Sequence, residues 1–94
     1  MKLSTLKIRL PNKEVLQMYY STTHKYINVS QIRKLFGCSY PTAAKVRNEI
    51  QHEMTLEGKK FPLGYVPFDR VLEKADVTIL TIERNYQKQI KLGL

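Results

Sequence analysis

Between Val29 and Ile50 the sequence VSQIRKLFGCSYPTAAKVRNEI holds two short amphipathic segments that a glycine and a proline keep apart. Ser30 is a suitable N-cap for a helix over residues 31–36, in which Ile32, Leu35 and Phe36 recur at the spacing of a buried helical stripe. Gly37 supplies the left-handed backbone that ends it. Cys38 and Ser39 form the turn, and Pro41 fits the first turn of a second helix, where its missing N–H is not needed. Tyr40, preceding proline, is biased away from helical geometry, so the cap is Ser39 or Tyr40. The second helix is expected from 41 to about 53 or 54, with Ala43, Val46, the stem of Arg47 and Ile50 facing inward. Two such helices joined by a glycine-containing turn make a helix-turn-helix unit.

The flanking sequence is punctuated by the four prolines and shows neither repeats nor a low-complexity linker, which predicts a single domain over 1–94. Residues 3–10 alternate loosely and read as a short strand or an extended arm closed by Pro11. Asn12 can cap a helix to about Ser21 with Val15, Leu16, Tyr19 and Tyr20 on one face. After the polar break of Thr22, Thr23 and His24, residues 26–29 form an extended lead-in. Gly58, Pro62, Gly64 and Pro67 exclude a helix and predict a hairpin with strands 60–62 and 65–66 around Leu63 and Gly64. Pro67 opens a short helix to about 74 with Phe68, Val71 and Leu72 inward. A last helix, within 77–94 and beginning near Thr78, carries the stripe Ile79, Ile82, Tyr86 and Ile90. That stripe either packs on the first helix through Val15, Leu16 and Tyr19 or serves self-association. The expected class is mainly α with a small β-hairpin wing.

Charge is distributed unevenly along this framework. The formal net charge is +8, and residues 1–48 hold nine bases against one acid, whereas residues 49–94 hold seven of each. A one-sided basic field favours a polyanionic partner, because it speeds association and each phosphate contact releases counterions. A chain of 94 residues with 43% apolar residues is expected to fold around one small core, with little room for a cavity that encloses a substrate. The single Cys38 excludes an internal disulfide and reads as a small buried hydrophobe, which points to the reducing cytoplasm. No apolar run reaches the length of a membrane span, and the first residues lack a secretory signal's apolar stretch.

The helix pair lifts the N-terminal end of its second helix away from the domain, where dipole and free N–H groups favour phosphate and outward side chains reach base edges. YINVSQIRKLFGCSYPTAAKVRNEI followed by GKKFPLGYVPFDRVLEKA resembles the small winged helix-turn-helix DNA-binding proteins of phages and mobile elements, including excisionase-like proteins and their regulators. The resemblance covers residues 26–75. It implies an extended lead-in, the helix pair, a hairpin wing and a closing helix, with duplex DNA as partner. It departs at Arg33, where many such units place alanine; there the crossing loosens or the arginine snorkels outward.

On this reading Tyr40, Thr42 and Lys45 face DNA bases, Arg47 faces phosphate, Lys59 and Lys60 on the hairpin meet phosphate or the adjacent minor groove, and Arg33 and Lys34 lie beside the backbone. Of the six tyrosines, Tyr40 is the one expected on the surface. His24 and His52 have no second ligand at metal spacing, so neither a metal nor a cofactor is expected. No phosphate loop, Ser/His/Asp set or framed carboxylate pair marks an enzyme. The rival reading is a protein-interaction module that engages a recombinase or polymerase subunit, and steep salt dependence of binding would separate DNA from it.

Overall fold

In the computed structural model, which describes residues 6–22 and 25–93, Gly37 stands where the turn requires it, at φ 61° and ψ 38°. It ends helix α2, Val29–Phe36, and helix α3, Tyr40–Leu56, begins three residues later. A Cβ added at Gly37 would lie 3.2 Å from Arg9 Cγ, so the position needs glycine for its backbone and for the side chain packed over it.

The start of α2 differs from the expectation. Asn28, not Ser30, is the N-cap: its side chain accepts from the Gln31 N–H at 3.0 Å, while the Gln31 side chain accepts from the Asn28 N–H at 2.9 Å. This reciprocal box satisfies two backbone donors at once and takes Ser30 into the first turn. Helix α3 starts as expected, with Ser39 as N-cap and Pro41 in its first turn. It continues beyond residue 54 because nothing interrupts it before Gly58, where the Lys59 N–H turns back to the Met54 carbonyl at 2.9 Å.

Around this pair lie α1 (Asn12–Ser21), β1 (Tyr26–Ile27), β2 (Val66–Pro67), α4 (Phe68–Glu73) and α5 (Ile79–Lys91). Pro11, rather than Asn12, occupies the N-cap of α1, and Thr78 caps α5 through the Thr81 N–H at 3.2 Å. The fold is mainly helical with one small antiparallel pair. Of the two expected strands the second is kept, shifted by one residue to Val66–Pro67, but its partner is the lead-in: β1 pairs with β2, Tyr26 opposite Pro67 and Ile27 opposite Val66. Residues 60–62 form no strand, and the expected hairpin reduces to a turn in which the Tyr65 N–H meets the Pro62 carbonyl at 3.1 Å. The physical reason is burial. Ile27 and Val66 are fully enclosed and satisfy their backbone against each other, whereas Lys59, Lys60, Pro62 and Leu63 are exposed and have no apolar face to pair over.

One core joins these elements. Ile32, Leu35 and Phe36 of α2 meet Ala43, Val46, Ile50 and Met54 of α3, closed from below by Phe68, Val71 and Leu72 of α4. Val15 of α1 and Ile82 of α5 extend it to one side, and Cys38 packs half-buried against it as a free thiol. Residues 6–10 form an arm rather than a strand: the N–H groups of Arg9 and Leu10 both donate to the Leu35 carbonyl, at 2.9 and 3.3 Å. They thereby satisfy an acceptor that the end of α2 leaves open. His24 and residues 3–5 of the expected arm lie outside the described residues. None of the described helices is long and apolar enough to cross a membrane.

Candidate nucleic-acid interface

Helix α3 presents two chemically different sides to its surroundings. With Ala43, Val46, Ile50 and Met54 buried, the positions at intervals of four, three and four on the far side are Pro41, Lys45, Asn48 and His52, all exposed. Tyr40, 57% exposed, and the exposed Thr42 flank the start of this row. The Thr42 hydroxyl lies 3.2 Å from that of Ser39. The row carries no acid.

The acids of the same helix are gathered elsewhere. Glu49 and Glu53, one turn apart, both hold the Lys74 ammonium at 2.7 Å, and Glu57 just beyond the helix receives the Arg70 guanidinium and Lys59 at 3.4 Å. Partial burial disfavours charge on Lys74, but the hydrogen bonds it donates to Glu49 and Glu53, together with the attraction of the two carboxylates, outweigh it and raise its pKa above the ordinary lysine value. The Arg70 hydrogen bond holds the Glu57 carboxyl below its usual range. Three bases that follow α3 in sequence, Lys59, Arg70 and Lys74, therefore bind its negative charge, and the outer row is left with Lys45 and neutral groups.

The sequence-predicted residues divide into two groups. Tyr40, Thr42 and Lys45 come together on the exposed start of α3. Arg47 sits half-buried at the edge of the core and its guanidinium donates to Asn48 Oδ1, from Nε at 3.3 Å and Nη2 at 3.1 Å. Arg33 and Lys34 are exposed in the last turn of α2, and Arg33 Nε reaches the Cys38 carbonyl at 3.4 Å, so the arginine turns outward over the turn. Lys59 and Lys60 do not join these residues. They follow the far end of α3, a helix about 25 Å long, and Lys59 is engaged by Glu57. Tyr40 is also not alone on the surface, since Tyr20 and Tyr65 are exposed.

Three residues enter the surface that sequence reasoning missed. Asn48 and His52 continue the row of Lys45, and Arg9 lies with its stem over the turn at Gly37. The first two were legible as helical periodicity counted from Pro41. Arg9 had no local signal, because its place depends on the arm docking at Leu35. No group of three or more potential metal ligands occurs among the described residues. No protein-family model, curated protein or solved structure matches the chain.

Proposed function

We propose that this chain binds duplex DNA sequence-specifically in the cytoplasm, as an excisionase-like architectural factor or a small transcriptional regulator of a mobile element. The observation that carries the reading is the separation of charge on α3: an outer row of Pro41, Lys45, Asn48 and His52 without an acid, beside Glu49, Glu53 and Glu57 held by Lys74, Arg70 and Lys59. A helix laid in the major groove needs such a face, since a carboxylate directed at phosphate would oppose binding while Lys and Asn can address guanine and adenine edges. The Tyr40 end of α3 enters the groove in this arrangement. Arg9, Arg33 and Lys34 meet the backbone beside the turn, and Lys59 and Lys60 meet it beyond the other end of the helix.

The reading is tested by enriching duplexes from a random-sequence pool with the full chain, then titrating the enriched and scrambled duplexes by fluorescence anisotropy at several salt concentrations. Affinity is expected to fall steeply with salt. Lys45→Ala and Thr42→Ala are expected to lose discrimination worth about 1 to 3 kcal/mol per base contact, and Arg47→Ala to weaken both duplexes alike. Failure to enrich any sequence would sink the proposal.

A further inference from the structure

The turn beyond α3 carries a side chain with no role in the fold. Leu63 is 96% exposed, the most exposed large apolar side chain among the described residues. It stands at the tip of the turn closed by the Tyr65 N–H on the Pro62 carbonyl, with Pro62 before it and Gly64, at φ 79°, after it. Both ends of this loop are fixed. On one side the Lys59 N–H is held by Met54 and Glu57 by Arg70; on the other, fully buried Val66 is paired to Ile27. The eleven residues between Glu57 and Asp69 include Lys59 and Lys60 and no acid. A leucine presented on a short anchored turn beside two exposed lysines fits an apolar slot in a polyanion.

We propose that Leu63 is a wedge that enters a minor-groove base step beside the segment occupied by α3 and kinks the duplex there. The inference rests on the DNA reading given above and goes beyond it, from where the protein binds to what it does to the DNA. Helix α3 is about 25 Å long, which exceeds the half helical turn, roughly 17 Å, that separates an occupied major groove from the flanking minor groove, so the far end of the helix can carry its loop past the occupied segment. Lys60, joined by Lys59 when it leaves Glu57, holds the flanking phosphates, and the isobutyl group takes the place of stacking lost between two base pairs. Apolar wedges of this kind bend DNA toward the major groove by roughly 20 to 90°. Pyrimidine–purine steps, which unstack most easily, are the expected position. Because both ends of the turn are anchored, less backbone freedom is lost on insertion than from an unanchored loop.

The test uses the full chain and the duplexes it enriches, labelled with 2-aminopurine at each pyrimidine–purine step in turn and with a dye pair at the ends. Wild-type protein is expected to raise the fluorescence at one step at least about twofold by unstacking, and to shorten the end-to-end distance. Leu63→Ala is expected to bind within about tenfold of wild type, because phosphate contacts supply most of the affinity, yet to lose both signals. Leu63→Phe is expected to restore them. Because the side chain is exposed, far-UV circular dichroism should be unchanged in both variants. Tight binding by wild type with neither signal, or both signals retained in Leu63→Ala, would overturn the wedge and leave DNA binding standing. If no duplex is enriched, both proposals fall, and the enrichment step alone identifies that outcome.

Discussion

The α2–α3 pair and the α1–α5 pair are both seams between two helices, but they are built differently. Half of the residues in α2 are buried, Val29, Ile32, Leu35 and Phe36, and α3 answers with Ala43, Val46, Ile50 and Met54. Each of α1 and α5 buries one residue, Val15 and Ile82. Their rim is polar: the Tyr20 hydroxyl donates to Glu83, and Asn12 Nδ2 approaches Gln89 Oε1 at 3.5 Å. The stripe on α5 is buried at Ile82 and half-buried at Ile79 and Tyr86, while Ile90 is 51% exposed. The first seam is a dry core that fixes the angle between two helices. The second is a cover that shields one side of that core, so the two should respond differently to damage.

The largest effect is expected at Leu35, where alanine should remove about 2 to 5 kcal/mol of stability and expose all slowly exchanging amides together. Equilibrium denaturation and amide hydrogen exchange read both. Ile82→Ala should fall at the lower end of that range and release amides of α5 while those of α2 and α3 stay protected. Equal release across the chain would erase the distinction between seam and cover. Gly37→Ala sharpens the comparison within the dry seam. The left-handed backbone should cost about 1 to 2 kcal/mol, and the 3.2 Å approach to Arg9 adds displacement of the arm. Asn28→Ala, which opens the capping box, should cost about 1 kcal/mol in thermal or chemical melting.

The smallest effect is expected from alkali, and at the cover alone. Partial burial, then Asp69, raises the Tyr19 pKa; donation to Glu83 raises that of Tyr20, and Lys25 lies over both rings at 4.9 and 5.3 Å. Both phenols are therefore protonated more readily folded than unfolded. Their contribution is complete below the ordinary tyrosine value of 10.0 and is lost as pH rises through the raised values. Amide exchange in α1 and α5 should quicken over that interval before exchange in α2 does.

Much of this arrangement could be read from local pattern. Ile32, Leu35 and Phe36, then Gly37, then Pro41 specify two helices and the break between them without reference to any distant residue. The stripe in α5 and the apolar face of α4 were legible for the same reason. What escaped reading depends on partners far along the chain. Two-residue strands leave no alternation to detect, so Ile27 and Val66 gave no sign of each other, while Pro62 and Gly64 signalled a turn that was mistaken for a hairpin. Ser30 and Asn28 are both good caps, and the reciprocal bond from Gln31 decides between them. Site residues showed the same division. Lys45 was evident as a base on an outward face, whereas the ion pairs that remove Glu49 and Glu53 from consideration require α4 to be in place.

The short pairing of Tyr26–Ile27 with Val66–Pro67 has a topological consequence. It brings together the two points at which the chain arrives at and departs from the helix pair, so residues 26–67 form a closed circuit with neighbouring ends. A segment whose ends already touch can be carried as an inset on another host without prying that host's surface apart. The clasp also sets one loop-closure cost for the whole circuit, and this cost grows only slowly with length. Residues added or removed at the 59–65 loop would thus change how far the tip reaches while leaving the angle between α2 and α3 as it is.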